Sequence, residues 1–287
     1  MKDSIGVIGQ GFVGSAIREG MQHAFTVETY DTDPAKPSTV ESITELVERV
    51  NNVIFVCLPT PMKKNGRCDT RIVETAISDI NDANKKLGKN AIAVIKSTIE
   101  PGTTDRLNER YSNVTVIFNP EFLTEANSFE DFKNQNRIII GGPRPASTTV
   151  KTMYRRAFPK VPIIKTGANV AETVKYFINC FLATKVSFAN EMKQVCDKIN
   201  VDFDKVVEYA LYDDRIGNSH LSVPGPDGSL GFGGHCFPKD LNAIMYIAQD
   251  FGVEPKVLAG VWEKNNEVRP QASRDWENMI GRAVVDD

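Results

Sequence analysis

The sequence predicts an α/β protein: a doubly wound parallel sheet in the amino-terminal part, followed by an all-helical part built on one long helix. Two observations predict this. Short apolar runs alternate with helix-like segments from Ser4 to Ile164, the pattern of a parallel sheet with helices on both faces. From Ala171 onward, apolar residues recur at helical spacing over about thirty residues. We therefore predict two domains, residues 1–166 and 167–287.

The first element is a short buried strand, Ser4–Ile8, which leads into the turn Gly9-Gln10-Gly11-Phe12-Val13-Gly14 and then a helix. In this order, the three glycines allow a tight turn, close approach of a pyrophosphate to the backbone, and close packing of helix on strand. A second strand, Phe25–Tyr30, ends in Asp31, where a carboxylate can bind a ribose diol and would repel a 2′-phosphate. The sequence therefore predicts a Rossmann-like, NAD-binding domain whose cofactor contacts include Gly9, Gly11, Phe12, Val13, Gly14 and Asp31.

The later strands of this domain end in polar residues. The predicted order is helix Ser42–Arg49, strand Val53–Leu58, helix Thr70–Leu87, and strands Ala91–Ile95, Val114–Phe118, Arg137–Ile140 and Val161–Ile164. Ligands of doubly wound sheets lie beyond the carboxyl ends of the strands. We therefore expect Pro59, Thr60, Thr98 and Glu121 at one edge of the sheet, although Thr60 and Thr98 taken singly also fit helix caps or turns.

The carboxy-terminal part begins with the long helix, predicted to start after a cap at Asn169. Lys175 and Asn179 are four residues apart, so they project from the same face of this helix. A lysine on a helix is usually a solvated surface residue, but the apolar neighbours of Lys175 indicate that the helix is largely buried. Shorter helices are predicted at Phe203–Leu211 and over Pro255–Gly281, the latter with a break near Pro270.

A glycine-rich loop, Gly231-Phe232-Gly233-Gly234, places Cys236 just before a helix, with Pro238 in its first turn. The exposed amides of a helix N-terminus and the nearby Lys239 favour the thiolate form that a nucleophilic cysteine requires. The alternative is a small buried residue in a tight loop, which is the usual position of a free cysteine.

Composition excludes several classes of function. The chain has 287 residues, a net charge of −3 and no basic tract, which argues against nucleic acid or a membrane surface as the main partner. No apolar run is long enough to span a bilayer, and the amino terminus lacks signal-peptide features, so we expect a cytoplasmic protein. The five cysteines form no Cys-x-x-Cys pair and there are three histidines, so we expect neither a disulfide framework nor a metal site.

Taken together, the motifs resemble those of the nucleotide-sugar dehydrogenases over nearly the whole chain. The Phe-Pro-Lys-Asp ending of the cysteine motif is similar to the UDP-glucose and GDP-mannose branches rather than the N-acetylhexosamine branch. The motifs that carry the resemblance are Gly9-x-Gly11-x-x-Gly14, Pro59-Thr60-Pro61, Lys96-Ser97-Thr98, Asn119-Pro120-Glu121-Phe122-Leu123, Lys175 with Asn179, Asp214-Arg215-Ile216-Gly217, and Gly231-Phe232-Gly233-Gly234 with Cys236-Phe237-Pro238-Lys239-Asp240.

The resemblance implies oxidation of the C6 alcohol of a nucleotide sugar to a carboxylate, UDP-glucose to UDP-glucuronate in the first instance, with two NAD and one water. Cys236 would carry a thiohemiacetal and then a thioester. The implied catalytic roles are oxyanion stabilisation by Lys175 and Asn179, proton and water handling by Asp240 and Glu121, and orientation of the water by Thr98. The implied cofactor contacts also include Pro59, Thr60, Thr98 and Lys239, and the implied substrate contacts are Glu121, Phe122, Leu123, Glu125, Lys175, Asn179, Arg215 and Gly233. The resemblance further implies a homodimer through the long helix near residues 169–198, with Arg215 reaching the partner's substrate.

Three departures from the family pattern limit the resemblance. His235 stands where the family usually has serine, and the region between Asp31 and Val53 is short. The family's second, carboxy-terminal Rossmann-like domain, which holds much of the UDP, is expected to be absent. Three alternatives therefore stay open: another nucleotide-sugar dehydrogenase of the GDP-mannose type, a non-catalytic NAD-binding homologue acting as a subunit or regulator, and a two-electron hydroxyacid dehydrogenase, which would have no use for Cys236.

Overall fold

The structure, a computed structural model, describes residues 2–285. Its contacts divide the chain into two compact units. The first comprises the chain up to Thr60 together with Thr70–Lys175, and the second comprises Pro61–Asp69 together with the chain from Tyr176 onward. Within the described part of the chain, no helix combines the length and apolar character needed to cross a membrane.

The first unit is built on a seven-stranded sheet in the order β2-β1-β3-β4-β5-β6-β7. Neighbouring strands are parallel except β5 and β6, which run antiparallel and pair at Phe118 and Gly141. The predicted doubly wound α/β sheet is thus confirmed, with one antiparallel junction that the apolar runs did not reveal. The strands are β1 Ser4–Ile8, β2 Thr26–Tyr30, β3 Val53–Val56, β4 Ile92–Ile95, β5 Thr115–Phe118, β6 Ile138–Gly141 and β7 Ile163–Thr166.

Helices cover both faces of the sheet because successive side chains of a strand point to opposite faces. On β3, Ile54 and Val56 join the core with α2, α3 and α4, whereas Val53 and Phe55 join the core with α1, α5 and α6. Strands that are buried on both faces read as continuous apolar runs, which is how they were predicted. The helices of this unit are α1 Phe12–Met21, α2 Ile43–Arg49, α3 Arg71–Leu87, α4 Thr103–Arg110, α5 Ser128–Lys133 and α6 Ala146–Ala157.

The predicted long helix is confirmed as α7, Ala168–Lys198. Asn169, predicted as its cap, instead lies inside the first turn, where its carbonyl accepts a hydrogen bond from Thr173 Oγ1. The compact units part within this helix rather than ahead of it at residue 167. The physical reason is that Ala171 and Val174 pack into the core of the sheet, so the first two turns of α7 belong to the first unit.

The second unit packs the rest of α7 against the other carboxy-terminal helices. Cys180 and Ala183 of α7 share a core with Phe232, Leu241 and Val261. Beyond α10, two short 3₁₀ helices, Gln271–Ser273 and Asp275–Asn278, follow the break predicted at Pro270. The helices of this unit besides α7 are α8 Phe203–Ala210, α9 Cys236–Asp250 and α10 Lys256–Val268.

Candidate active site

The turn between β1 and α1 has the geometry that its three glycines predict. Gly9 has φ +87°, and a Cβ there would lie 2.3 Å from the carbonyl oxygen of Cys57. A Cβ on Gly14 would lie 1.8 Å from the carbonyl oxygen of Gly9, so helix and strand pack too closely for any side chain. At Gly11, by contrast, a Cβ would meet nothing within 4 Å. The backbone ahead of α1 is therefore open, as a phosphate-binding helix N-terminus requires.

Asp31 lies beside this turn at the end of β2. Its Oδ2 accepts a hydrogen bond from the amide of Gln10 at 2.6 Å, and its Oδ1 accepts one from the amide of Asp33 at 2.9 Å. These two amides orient the carboxylate and leave part of its acceptor capacity for a ligand, because a carboxylate has about four lone-pair positions. The glycine turn and the acidic residue predicted to bind a dinucleotide therefore form one local structure.

The loops that follow β3, β4 and β5 are linked at the carboxyl edge of the sheet. Ser97 Oγ accepts from the amide of Leu58 at 2.9 Å and donates to its carbonyl oxygen at 2.6 Å. Lys96 Nζ donates to Asn119 Oδ1 at 3.0 Å and to the carbonyl oxygen of Pro120 at 3.3 Å. The predicted site residues Thr60, Thr98 and Glu121 stand on these loops, and Thr60 and Thr98 are buried.

Lys96 carries a buried charge at this edge. Burial lowers the pKa of its ammonium to about 8, against the opposing influence of Glu121. Its neighbour Cys57 remains a thiol, since burial raises the pKa of that group to about 12. Lys96 thus retains a positive charge at neutral pH, but holds its proton less firmly than an exposed lysine.

Glu121 and Lys175 form a buried ion pair in the first unit. Lys175 Nζ donates to Glu121 Oε1 and to the carbonyl oxygen of Glu121, both at 2.8 Å. Burial acts to raise the pKa of Glu121, but the charge and hydrogen bond of Lys175 hold that pKa below its ordinary value. The carboxylate therefore stays ionised, and Lys175 is fixed at the start of the segment that holds Phe122 and Leu123.

The segment Glu121–Thr124 is held at every residue. The amide of Leu123 donates to Glu121 Oε2 at 2.8 Å, and the amide of Thr124 donates to Asp131 Oδ2 at 2.7 Å. The guanidinium of Arg137 stacks 4.2 Å from the ring centroid of Phe122. This segment borders a cavity of about 270 Å³, which Lys96 and Arg137 also line. Glu125, the last predicted contact of the segment, is exposed.

A residue that sequence reasoning missed, Glu172, ties α7 to the loop after β4. Its Oε2 accepts from the amide of Gly102 at 2.7 Å. Its Oε1 accepts from the amide and the hydroxyl of Thr104, at 2.9 and 2.6 Å. Glu172 is fully buried and caps the N-terminus of α4, where Gly102 offers no side chain. Because Gly102 ends the loop that begins at Lys96, Glu172 fixes that loop to the helical turn carrying Lys175.

In the second unit, Cys236 is the first residue of α9, and Pro238 lies in the first turn as predicted. His235, at the N-cap, makes no side-chain cap hydrogen bond. Cys236 therefore stands at the N-terminus of α9, the end of a helix that carries a partial positive charge.

Asp240 connects the cysteine helix to α7. Its Oδ1 accepts from Lys239 Nζ at 2.5 Å, and its Oδ2 accepts from Asn179 Nδ2 at 2.6 Å. All three side chains are buried. Burial acts to lower the pKa of Lys239, but Asp240 raises it above the ordinary value, so Lys239 remains a cation three residues from Cys236. The ammonium of Lys239 is hydrogen-bonded to Asp240. The predicted contact of Lys239 with the cofactor stays a prediction.

The other predicted substrate residues of this unit lie on loops. Gly233 belongs to the loop ahead of Cys236, and Asn265 and Asp275, which sequence reasoning also missed, bind its neighbours Phe232 and Gly234. Arg215 is exposed and pairs with Asp213, with Nε 2.8 Å from Oδ1. Its predicted role at a partner's substrate stays a prediction.

Comparison with known proteins identifies two matching segments. Residues 36–158 match the NAD binding domain of the UDP-glucose/GDP-mannose dehydrogenase family, and residues 169–267 match the central domain of the same family. The chain is 34% identical over 229 residues to the UDP-glucose 6-dehydrogenase TuaD of Bacillus subtilis, covering 77% of this chain and 48% of that protein. It is also 34% identical over 245 residues to the UDP-glucose 6-dehydrogenase of Rickettsia prowazekii, covering 82% and 52%.

A solved UDP-glucose dehydrogenase from the archaeon Pyrobaculum islandicum superposes with a TM-score of 0.86 at 29% identity, covering 98% of this chain and 72% of that one. This chain thus spans about half the length of the curated relatives it matches.

The cofactor of the matched domain is NAD, and the residues present fit it. The match begins at residue 36, so the glycine turn and Asp31 lie outside it. A Cβ at Gly11 would meet nothing within 4 Å, which is compatible with close approach of a pyrophosphate to the start of α1. The Asp31 carboxylate beside that turn suits a ribose diol.

Proposed function

We propose that this chain, which belongs to the UDP-glucose/GDP-mannose dehydrogenase family, oxidises a nucleotide sugar by four electrons, converting UDP-glucose to UDP-glucuronate. The observation that carries the proposal is the position of Cys236 as the first residue of α9, with the cation Lys239 in the same helical turn. A hydride transfer that ended at a ketone or an alcohol would need no nucleophile. A thiolate is the group that converts an aldehyde into an acyl derivative.

The first unit would hold the cofactor. The amides of the glycine turn and the start of α1 suit the pyrophosphate, and Asp31 suits the adenosine ribose and disfavours NADP. When bound, NAD accepts a hydride from the sugar carbon, once for each of the two oxidations. Pro59, Thr60 and Thr98 stand on the loops at the carboxyl edge of the sheet, where the ligands of such sheets bind.

The first unit would also stabilise negative charge on the substrate oxygen. Lys96 and Lys175 carry two positive charges around the single negative charge of Glu121, which leaves one positive charge in a buried setting. Preorganised charge of this kind stabilises an oxyanion more strongly than water does. Thr98 would orient the hydrolytic water, and Glu121 would accept its proton.

In the second unit, Cys236 would add to the aldehyde. A carbon–sulfur bond forms, the carbonyl π pair moves to oxygen, and that oxygen takes up a proton to give a thiohemiacetal. The second oxidation removes a hydride from carbon and the hydroxyl proton, leaving a thioester. Water then adds, the carbon–sulfur bond breaks, and the products are a carboxylate and the regenerated thiolate. Asp240 would handle the protons of the thiohemiacetal, and Asn179, whose amide donates to Asp240, would help to stabilise the oxyanion.

The test is a count of NADH formed per sugar consumed, with a panel that includes UDP-glucose, TDP-glucose and GDP-mannose. We expect two NADH per UDP-glucose and no released aldehyde. Two NADH per GDP-mannose and none with UDP-glucose would move the substrate to the other branch of the family. A ratio of one would favour a hydroxyacid dehydrogenase, and NAD binding without turnover would favour a regulatory subunit.

We further propose that the chain forms a homodimer through α7. The exposed apolar side chains Phe177, Phe181, Phe188 and Val195 are spaced by four or seven residues, so they form one stripe along the helix. Phe177 and Phe181 stack with ring centroids 6.4 Å apart. Sedimentation should show a dimer that Phe181→Glu dissociates, whereas Phe251→Glu, which alters an even more exposed phenylalanine outside the stripe, should leave it intact. A monomeric wild type would refute this assignment.

A cytoplasmic location is proposed together with this function, because both substrates are charged and water-soluble. Fractionation of cells should recover the chain with NAD-dependent activity in the cytosolic fraction.

A further inference from the structure

The loop ahead of Cys236 is short and contains three glycines, so its own side chains do little to fix it. Gly231 and Gly234 both have positive φ, at +67° and +70°. Glycine backbone has more conformational freedom than that of any other residue, and ordering it costs correspondingly more entropy. Only His235 separates Gly234 from the cysteine. Whatever holds this loop therefore determines where the first turn of α9 presents the thiol.

Two asparagines from neighbouring helices bind the first half of the loop. The amide of Gly231 donates to Asn190 Oδ1 at 3.1 Å. The amide of Phe232 donates to Asn265 Oδ1 at 2.7 Å, and Asn265 Nδ2 donates to the carbonyl oxygen of Phe232 at 3.1 Å. Asn265 is fully buried. Its side-chain amide therefore hydrogen-bonds both the N–H and the C=O of Phe232, as the backbone of a neighbouring β-strand would, so that neither group is buried without a partner.

A carboxylate binds the second half. The amide of Gly234 donates to Asp275 Oδ2 at 3.0 Å and lies 3.2 Å from Oδ1. The buried guanidinium of Arg269 stands behind, with Nη2 3.5 Å from Asp275 Oδ1 and 2.7 Å from Asp227 Oδ2. A Cβ on Gly233 would lie 2.3 Å from Asp275 Oδ1 and 2.4 Å from Arg269 Nη2. The ion pair thus lies directly against the loop backbone.

We propose that Asn265 and Asp275 are positioning residues for Cys236, and that the segment after α10 holds the cysteine loop in its reactive arrangement. The proposal rests on the nucleophilic role of Cys236 in the proposed function. Attack on an aldehyde requires the sulfur within about 3–3.5 Å of the carbon and in line with its orbital. A loosened loop would slow trapping of the aldehyde while leaving the first oxidation, which involves no bond to sulfur, largely unchanged.

The chain offers a matched pair of variants to test this. Asp275 and Asp227 both pair with Arg269 Nη2, and both are partly exposed, but Asp275 also binds the amide of Gly234. Asp275→Ala should lower kcat for carboxylate formation by about tenfold, which corresponds to the loss of one charge-assisted hydrogen bond that partial exposure weakens. KM should change by less than about twofold. Asp227→Ala should behave as wild type within about twofold.

The decisive readout is the stoichiometry. A general loss of structure would lower the rate and leave two NADH per sugar, whereas a misplaced thiol should release aldehyde, giving a ratio below two and a product captured by a hydrazide. A ratio of two with no captured aldehyde in Asp275→Ala overturns the proposal, and so does an equal effect in Asp227→Ala.

Hydrogen exchange of the peptide containing residues 231–237 tests the same contact without turnover. We expect faster exchange in Asp275→Ala and unchanged exchange in Asp227→Ala. If the wild type forms no NADH with any sugar, the proposed function fails, and the exchange result alone then decides the positioning proposal. Equal exchange in the two variants overturns it.

Discussion

Replacing Glu172 provides the sharpest test of how the first unit is held together. Its carboxylate accepts three hydrogen bonds, from the amides of Gly102 and Thr104 and from the hydroxyl of Thr104. Glu172→Ala would leave the two buried donors of Thr104 and the partly buried amide of Gly102 without this acceptor. Glu172→Gln can keep its oxygen toward the two donors of Thr104, but it then turns an NH₂ group toward the amide of Gly102.

The expected changes in the free energy of unfolding follow from the number of hydrogen bonds that each variant loses. A buried donor left without an acceptor costs about 1–3 kcal/mol, so leaving two or three such donors unpaired costs about 3–5 kcal/mol. We therefore expect Glu172→Gln to lower the free energy of unfolding by about 1–3 kcal/mol, and Glu172→Ala by about 3–5 kcal/mol. Burial raises the pKa of Glu172, which means that burial of the charged carboxylate offsets part of the stability that its hydrogen bonds provide. We therefore expect the losses in both variants to fall toward the lower end of these two ranges.

Urea unfolding followed by circular dichroism measures both changes. Glu74→Gln is a suitable control, because Glu74 is a partly exposed acid that pairs with Arg106 of α4 at 2.9 Å, and pairs with an exposed partner contribute about 0–1 kcal/mol. The reasoning is wrong if Glu172→Ala costs no more than this control, or if glutamine costs more than alanine. Since Glu172 lies three residues before Lys175, kcat should also fall in the variants that still fold at the assay temperature.

Three further predictions concern the cofactor, the nucleophile and a buried lysine. Asp31→Ala should weaken NAD binding and reduce the preference for NAD over NADP, as measured by titration calorimetry. Asp33→Ala, in the same turn, should change neither. Equal affinities of wild type and Asp31→Ala for both cofactors would mean that Asp31 is not the residue that binds the ribose. Cys236→Ser should abolish steady turnover, because an alkoxide leaves an ester less readily than a thiolate leaves a thioester. NAD binding should be retained. Near-normal turnover of this variant would rule out the thioester intermediate. Burial lowers the pKa of Lys96 from its usual 10.5 to about 8, so the folded protein binds this proton less tightly than the unfolded chain does. The difference in the free energy of unfolding between wild type and Lys96→Met should therefore shift in favour of wild type from pH 8 to pH 10.5, by about 3 kcal/mol at most. If urea titrations show the same difference at every pH in this range, the lowered pKa of Lys96 is refuted.

The sequence predicted the sheet and the long helix because burial on both faces and helical periodicity are local patterns. β1 was predicted with the bounds observed, Ser4–Ile8, since a continuous apolar run ends there at a glycine. The helix at Thr103–Arg110 escaped detection because Leu107 is its one large apolar residue in the core. The antiparallel pairing of β5 and β6 also escaped, because strand direction depends on how the chain crosses over and not on side-chain pattern.

The predicted site residues were those whose type reveals chemistry: glycines in a turn, a cysteine before a helix, a lysine with an asparagine one turn on. Glu172, Asn265 and Asp275 were missed because each binds backbone groups distant in sequence. Gly102 and Glu172 are 70 positions apart in the sequence, and the sequence carries no signal of such a contact. A buried acid on an apolar helix face was the one available hint, since carboxylates are rarely buried without partners.

The balance of buried charges differs between the two units. Around Glu121, two lysines oppose one carboxylate, so this part of the first unit favours an added negative charge. In the second unit, Lys239 and Asp240 form a neutral pair, since Lys239 keeps its proton beside the carboxylate. Because Asp240 offsets the charge of Lys239, we expect the amides at the start of α9 to contribute to stabilising the thiolate that the proposed mechanism requires. If Cys236 is the nucleophile, we therefore expect its reactivity to depend on the loop that begins its helix as well as on Lys239, and hence on the contacts of Asp275 and Asn265 with that loop.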